Sequence, residues 1–305
     1  MATRKKKPVR SGRGAVTALL VNLAIIIALA LALAWSALQA NTVLVRRADV
    51  ALSDLPQVFD GATILYASDI DLCGINTAAK SAALFRQLQA LSPDLLILGG
   101  DYTSPSLFEV FNGSADDNIS HGRQAAARDQ FFQALGRFHA RLGKYATASP
   151  DDLRIPGLTD AFSAAGITPI LNARTAITLD GAQLDLVGIC SVETIHSAAS
   201  VPYARDACVI AVAYGPAAIP KVMTTEAMDS GHWADLVLCG HTHGGQVLLF
   251  GKSVLPLSAQ ERTCLAGWSY ESGVPILTTS GVGCEGANLR LGSRAEVWLI
   301  TLRRK

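Results

Sequence analysis

The sequence lacks a large net charge, any paired-cysteine motif and any internal repeat. Its formal charge is +1 over 305 residues, which gives no indication of nucleic acid or of a strongly acidic partner. The six cysteines are scattered without the C-x-x-C spacing of a zinc ribbon or a thioredoxin-type site. Several lie in apolar stretches, where the simplest interpretation is a small core residue; disulfides stay open for an extracytoplasmic domain.

What is present at the N-terminus is a basic segment followed by a long apolar run. Six Arg or Lys residues precede residues 15–38, and these 24 residues would form a helix of about 36 Å, enough to cross a bilayer core of about 30 Å. A signal peptide has a shorter apolar region, and residues 38–40 match its cleavage site poorly. The pattern predicts an uncleaved signal anchor; the alternative is a buried core helix.

Charge asymmetry predicts how this anchor is oriented. Only Arg46 and Arg47 follow the apolar run closely, whereas six cations precede it. We therefore expect a single-pass protein of the cell membrane, with a cytoplasmic N-terminus and an extracytoplasmic domain. The parts predicted are a basic cytoplasmic tail (1–14), the transmembrane signal anchor (15–38), a linker with an edge strand (39–58) and one large domain (59–305).

The domain begins with a strand–helix–strand pattern. Residues 61–67 and 94–98 are apolar runs typical of buried strands, and residues 77–91 have helical periodicity between them. Asp69 follows the first strand and Asp101 the second. This pattern predicts a βαβ unit that presents acidic side chains at the carboxyl edge of its sheet. As isolated residues, both aspartates could instead be helix caps or solvated loop residues.

Further elements follow from apolar periodicity. Residues 104–121 are polar and predict a surface excursion. Helices are predicted at 122–141 and 159–165, and strands at 168–172, 182–189, 208–214, 275–283 and 295–302.

The most restrictive motif follows another apolar strand. Residues 240–246 read Gly-His-Thr-His-Gly-Gly-Gln, with His241 and His243 two positions apart. On a turning backbone, two such imidazoles can aim at one small space, and neutral imidazole is a common ligand of Zn, Fe, Mn and Ni. For a bare His-x-His pair the alternative is a surface turn with two solvated histidines. The preceding strand and the flanking glycines favour a metal site.

Residues 240–246 resemble the last metal-binding motif of the calcineurin-like metallophosphoesterases, in the form typical of membrane-associated bacterial members. The resemblance extends from about residue 55 to residue 305. It implies an α/β fold, a four-layer α/β/β/α sandwich with the site along one edge, preceded here by one N-terminal transmembrane helix. Such enzymes hold two divalent cations about 3.5–4 Å apart, which polarise the phosphoryl oxygens and lower the pKa of a bound water.

The upstream family motifs are partly retained. Asp69 matches the first residue of the family's Asp-x-His motif, and Asp71 stands where its histidine is expected. Residues 99–101 match the Gly-Asp motif, so Asp101 resembles the carboxylate that bridges both metals.

Two other motifs have lost their ligands. Pro150 stands where an asparagine ligand is expected, and Asp151 stands where the phosphate-contacting histidine is expected. Tyr214 occupies the position of another histidine ligand. Asp151 is thus the one candidate for a catalytic role, and Asp151, Asp152 or Tyr214 could complete a metal site.

The resemblance assigns these residues to two metal positions. Asp69, Asp71, Asp101 and His243 would form one, and Asp101 with His241 would form the other. Three carboxylates and one imidazole favour hard ions such as Mn or Mg, with Fe and Zn left open, at one or two divalent ions per chain.

We therefore expect a membrane-anchored, metal-dependent phosphoesterase that hydrolyses a phosphate mono- or diester with reduced activity. The topology suggests a lipid or cell-envelope phosphate as its substrate. The alternative is a catalytically inactive binding module of the same fold. No role is assigned to His121, His139, His196 or His232.

Overall fold

The computed structural model describes residues 12–73, 76–194, 207–224 and 233–305. Most of the predicted basic tail, His196 and His232 lie outside the described residues. The helices are α1 Gly12–Asn41, α2 Ala78–Leu88, α3 Leu107–Phe111, α4 Asn118–Leu135, α5 Pro150–Arg154, α6 Leu158–Ala164, α7 Ile219–Thr224 and α8 Ala259–Thr263. The strands are β1 Leu44–Leu52, β2 Thr63–Ala67, β3 Leu95–Leu98, β4 Lys144–Ala146, β5 Thr168–Pro169, β6 Arg174–Leu179, β7 Ala182–Ile189, β8 Cys208–Ala213, β9 Leu236–Cys239, β10 Leu248–Leu249, β11 Lys252–Ser253, β12 Gly267–Glu271, β13 Val274–Thr278 and β14 Glu296–Arg304.

Most of helix α1 stands apart from the packed core, and only its last turns contain buried residues, namely Ser36, Gln39 and Ala40. Within its segment Val16–Asn41, the most apolar 18-residue window has a mean hydropathy of 2.8 and is 0% buried, so the segment is long and apolar enough to cross a membrane. This exposure contradicts the alternative of a buried core helix. The helix continues beyond the predicted end at residue 38, and the Asn41 side chain donates a 2.6 Å hydrogen bond to the Ala37 carbonyl in its last turn.

Two six-stranded mixed sheets form the domain. Sheet A has the order β1-β14-β2-β3-β4-β5, and sheet B has the order β12-β13-β9-β8-β7-β6. In sheet A, strands β2 to β5 are parallel, β14 runs antiparallel to β2, and β1 runs parallel to β14. In sheet B, β13, β9, β8 and β7 are parallel, flanked by antiparallel β12 and β6. A small β10–β11 hairpin follows β9.

The apolar core lies in three layers around these sheets. Side chains such as Tyr66 from sheet A and Leu238 from sheet B meet in the central layer. Helices α2, α4 and α6 cover the outer face of sheet A with Phe85, Phe131 and Phe162. On the outer face of sheet B, alternate strand residues pack against Val222, Trp233 and their neighbours. This arrangement confirms the predicted four-layer α/β/β/α sandwich.

Some predicted boundaries are wrong. Helix α4 begins at Asn118 because Asp117 caps it, accepting a 2.6 Å hydrogen bond from the Ser120 amide. The predicted polar excursion therefore contains the start of α4 and all of α3. Strands β6 and β12 went unpredicted because half-exposed strands lack a continuous apolar run. None of the six cysteines forms a disulfide.

Candidate metal centre

All five predicted ligands follow strands that end at the same edge of the sandwich. Asp69 and Asp71 follow β2, Asp101 follows β3, and His241 and His243 follow β9. Each has a positive φ, between 48° and 73°, which is uncommon for residues other than glycine. Such conformations persist where the surrounding structure fixes them, and they cluster at functional sites.

The loops that carry these residues are bound tightly to one another. The Asp71 amide donates to the Asp101 carbonyl at 3.0 Å. A Cβ atom on Gly240 would lie 2.6 Å from Oδ2 of Asp69, and one on Gly281 would lie 2.6 Å from its Cβ. A side chain at either glycine would displace Asp69, so both positions require glycine.

The structure brings the predicted ligands together through three close approaches. The His241 amide donates to Oδ1 of Asp69 at 2.8 Å. Nδ1 of His241 lies 3.4 Å from Oδ2 of Asp101. Nε2 of His243 lies 3.7 Å from Oδ2 of Asp71, which is too long for a hydrogen bond.

Unpaired polar atoms test whether this cluster fits a cation. Oδ2 of Asp69, Oδ2 of Asp71 and Nδ1 of His243 are buried and have no hydrogen-bond partner among the described residues. Such atoms are costly to bury unless something pairs with them. Within the same residues, no group of three or more His, Cys, Asp or Glu side chains is already arranged to hold an ion. The donor types and unpaired atoms nevertheless suit a divalent cation.

The carboxylates repel one another in the absence of a cation. Burial, and then the charge of Asp101, raise the pKa of Asp69 well above its ordinary value. Burial and the charges of Asp101 and Asp69 do the same to the pKa of Asp71. Burial would also raise the pKa of Asp101. The hydrogen bond from His241 and the charge of the His241 ring outweigh it and lower the pKa of Asp101. A cation would relieve this repulsion.

The two histidines shift in opposite directions. Burial opposes protonation of His241, but the hydrogen bond and charge of Asp101, together with Asp69 and Glu261, raise its pKa to about 9. Burial and the neighbouring Arg290 lower the pKa of His243 to about 3. His243 is therefore neutral at physiological pH, the form in which imidazole binds metals.

The residues at the altered family positions add no clear ligand. Asp152 is buried, and its two carboxylate oxygens accept the amides of Asp101 at 2.8 Å and Tyr102 at 2.9 Å, so it fixes the loop after β3. Asp151 is exposed and pairs with Arg154 at 3.1 Å. Pro150 is the first residue of α5, and Tyr214 packs edge-on against the His241 ring with centroids 5.4 Å apart.

Sequence reasoning missed two buried charged residues at the site. Glu261 receives the Ser258 amide at 2.6 Å on Oε2, and its Oε1 lies 3.5 Å from Nε2 of His241. The Ser-x-x-Glu capping box was the available signal for its helix. Arg290 is fully buried and donates to the carbonyls of His243 at 3.0 Å and Ser280 at 2.6 Å. No local pattern indicates that role, because its acceptors come from different loops.

The site opens into a cleft of about 410 Å³. Asp71, Asp101, His241 and His243 border one part of it. Residues that the sequence did not assign also border it, namely His121, Arg154 and Glu285, together with Asp151. His139 stays outside, on the surface, where its backbone bonds the side chain of Gln89.

Comparison with curated proteins defines the family. The chain is 31% identical to "Phosphodiesterase YaeI" of Escherichia coli strain K12 over 215 residues, 69% of this chain and 70% of that protein. It is 24% identical over 271 residues to "Transmembrane protein with metallophosphoesterase domain" of Danio rerio, covering 84% of this chain but only 56% of that protein. No family model matches the chain.

Solved structures with a similar fold include a dimetal phosphatase from Danio rerio and the nuclease MPE of Pseudomonas putida. The first has a TM-score of 0.41 and 10% identity, covering 73% of this chain and 88% of that one. The second has a TM-score of 0.33 and 14% identity, covering 75% and 80%. The sequence match to the Escherichia coli phosphodiesterase places the chain in the calcineurin-like metallophosphoesterase family.

Proposed function

We propose that the chain is a membrane-anchored, metal-dependent phosphodiesterase. The observation that carries this proposal is the convergence of Asp69, Asp71, Asp101, His241 and His243 at one sheet edge, with three of their buried polar atoms unpaired. A binding module would not require a cluster of repelling carboxylates beside an open cleft. The alternative of an inactive module is not favoured, since the relative that defines the family is named a phosphodiesterase.

The proposed metal ligands fall into two groups of unequal strength. Asp69, Asp71, Asp101 and His243 would hold one divalent ion, and three carboxylates favour Mn or Mg over softer metals. Asp101 and His241 would hold a second, weaker ion. When bound, such ions act as Lewis acids on the phosphoryl oxygens. Weak binding at the second position is the basis for expecting reduced activity.

Other residues of this chain would handle the substrate. Arg154 borders the cleft and carries a guanidinium suited to phosphate oxygens. His121 borders the same cleft and is the proposed proton donor to the leaving group, a role that the family pattern gives to the position of Asp151. General acid catalysis of this kind contributes about 10²–10⁴-fold.

The proposed location follows from α1 and the charge asymmetry. Residues 15–38 would span the cell membrane with residues 1–14 in the cytoplasm, and residues 39–58 would lead to an extracytoplasmic catalytic domain at 59–305. Phosphate esters of lipids or of the cell envelope are the substrates within reach of such a domain.

The test uses the full chain in detergent, loaded with Mn²⁺, and bis(p-nitrophenyl) phosphate as the probe. We expect slow hydrolysis that Asp101→Ala and His243→Ala abolish, together with loss of bound Mn²⁺ measured by elemental analysis. Asp160→Ala, on the exposed surface of α6, is the matched control and should retain both. Hydrolysis that survives both site substitutions would place the chemistry elsewhere.

A further inference from the structure

The membrane helix joins the domain at the edge that carries the metal site. Strand β1 begins three residues after α1, and Leu44 pairs with Glu296 at the start of β14. Because β14 runs antiparallel to β2, its start lies beside the end of β2, where Trp298 pairs with Tyr66. The site loops also follow the ends of strands β2 and β3. The bilayer that holds α1 is therefore on the site side of the sandwich.

The end of α1 is docked on the site loops and is not a free tether. The Arg290 amide donates to the Ser36 carbonyl at 3.1 Å. Lys80 and Asn288 both donate to Oδ1 of Asn41, at 2.5 and 3.2 Å. Ser36 is buried within this contact. These bonds fix the last turns of α1 to Lys80 of α2 and to residues 288–290, where Arg290 also donates to the His243 carbonyl.

Two segments near the site expose large apolar side chains, and the first of them also borders the cleft. The first, residues 106–119, contains helix α3 and the first residues of α4, and it exposes Phe108 at 75% and Phe111 at 85%, with Ile119 also exposed. We call it loop A. Val110 of loop A borders the cleft itself. A cluster of exposed apolar side chains more often marks an interaction surface than a surface that faces only water.

The second loop, residues 248–254, is the β10–β11 hairpin, which we call loop B. Its turn is Phe250-Gly251, with φ of 52° and 77°. Two-residue hairpin turns with both φ positive favour Asn-Gly, and a bulky aromatic residue there is an outlier. Phe250 is also 104% exposed, so no contact with the described residues compensates this conformation. Leu249 and Val254 flank it, exposed as well.

We propose that loops A and B insert their apolar side chains into the interface of the bilayer that holds α1, so that the cleft receives the phosphodiester of a membrane lipid. This inference rests on the proposed phosphodiesterase function and on α1 as the anchor. Exposed Phe and Leu side chains are suited to burial at the boundary between lipid head groups and acyl chains, and Lys252 in loop B suits anionic head groups. The docked end of α1 holds both loops on the bilayer side.

The test is photocrosslinking of the full chain in nanodiscs of phosphatidylethanolamine and phosphatidylglycerol. The photoreactive residue p-benzoylphenylalanine replaces Phe111, Phe250 or, as a matched control, Tyr270. Tyr270 is 71% exposed, but it lies beside the turn into β13, at the opposite edge of sheet B. We expect lipid adducts by mass spectrometry at positions 111 and 250 and not at 270. Protein adducts, or lipid adducts no more frequent than at 270, would overturn the proposal.

A second measurement separates the lipid substrate from the proposed activity. Phe250→Asp should lower hydrolysis of an acyl-chain-bearing nitrophenyl phosphodiester in the discs by about tenfold, the effect expected from withdrawing one buried aromatic side chain. Hydrolysis of soluble bis(p-nitrophenyl) phosphate should stay unchanged. Equal effects on both substrates would overturn the lipid assignment. If the unsubstituted chain hydrolyses neither substrate, the proposed phosphodiesterase activity is refuted. The crosslinking experiment would then still test whether the two loops contact the membrane.

Discussion

Nε2 of His241 lies 3.5 Å from Oε1 of Glu261, while Nδ1 of the same ring faces Oδ2 of Asp101 at 3.4 Å. A carboxylate therefore faces each ring nitrogen. In metal sites, a carboxylate behind a ligand histidine fixes the tautomer and orientation of the ring. Glu261 thus acts as a positioning residue: when a cation displaces the proton of Nδ1 beside Asp101, the proton of Nε2 would stay on the side of Glu261.

The first prediction concerns this pair. Glu261→Gln should weaken binding of the ion at His241 by about 10–100-fold, the usual effect of removing such a carboxylate. Glutamine can still form the capping box with Ser258, so the thermal midpoint of the metal-free protein should change little. Equilibrium titration with Mn²⁺, followed until the weaker second ion is bound, measures this affinity. Glu271→Gln, an exposed change at the far edge of sheet B, is the control. Equal affinities for Glu261→Gln and the unsubstituted chain would refute the positioning role.

The second prediction concerns the buried guanidinium of Arg290. Arg290→Met would leave the carbonyls of Ser280 and Gly283 without the donor that Arg290 supplies. The His243 carbonyl would keep the Ser293 hydroxyl and the Gln246 amide as donors. Each unsatisfied buried acceptor costs about 1–3 kcal/mol. We therefore expect the thermal midpoint to fall by at least about 4 °C, since about 1 kcal/mol shifts a domain of this size by roughly 2–4 °C.

The control for this experiment is Arg303→Met. Arg303 is half-exposed and pairs loosely with Asp49 at 3.6 Å, and surface pairs of this kind contribute about 0–1 kcal/mol. Similar midpoints for the two variants would show that other groups satisfy the carbonyls when Arg290 is lost.

The sequence predicted the elements whose signals are local. Apolar runs located strands such as β3 and β9, and residues at strand ends supplied Asp69, Asp101 and the two histidines. Glu261 and Arg290 could not be predicted, because their contacts depend on how distant loops fold back toward β9. The start of α4 was missed because Asp117, its cap, lay within a stretch that composition marked as loop.

The third prediction concerns pH. The pKa of His241 in the folded chain is about 9, above its ordinary value of about 6.5. Folding therefore takes up a proton between these values, and the stabilisation is complete below about pH 6.5 and lost as pH rises through 9. The pKa of Asp69 is also raised by folding, so Asp69 likewise contributes stability that is lost as pH rises. The pKa of His243 is lowered to about 3, so His243 changes the stability only below pH 6.5.

We thus expect the thermal midpoint of the chelator-treated chain to fall between pH 6.5 and pH 9. Added Mn²⁺ should flatten the profile, since the cation replaces the protons that relieve carboxylate repulsion. His241→Gln should show a shallower fall than the unsubstituted chain. An identical slope in that variant would mean that His241 does not cause the pH dependence.

The last prediction concerns the second metal position. Burial, with the charges of Glu261 and Asp101, raises the pKa of Tyr214, so its hydroxyl stays protonated at neutral pH and is a poor ligand. Its ring nevertheless packs 5.4 Å from that of His241. Tyr214→His would place a second imidazole there, and neutral imidazole is a good ligand for divalent ions.

We expect the unsubstituted chain to retain one Mn²⁺ after dialysis and Tyr214→His to approach two, measured by elemental analysis. Tyr214→Phe keeps the ring packing without adding a ligand, so it should stay at one. Tyr214→His should also raise the rate of bis(p-nitrophenyl) phosphate hydrolysis, because the second cation adds Lewis-acid stabilisation. Two tightly held ions in the unsubstituted chain would show that another residue already completes this position. Unchanged metal content in Tyr214→His would mean that Tyr214 does not stand where a ligand is missing.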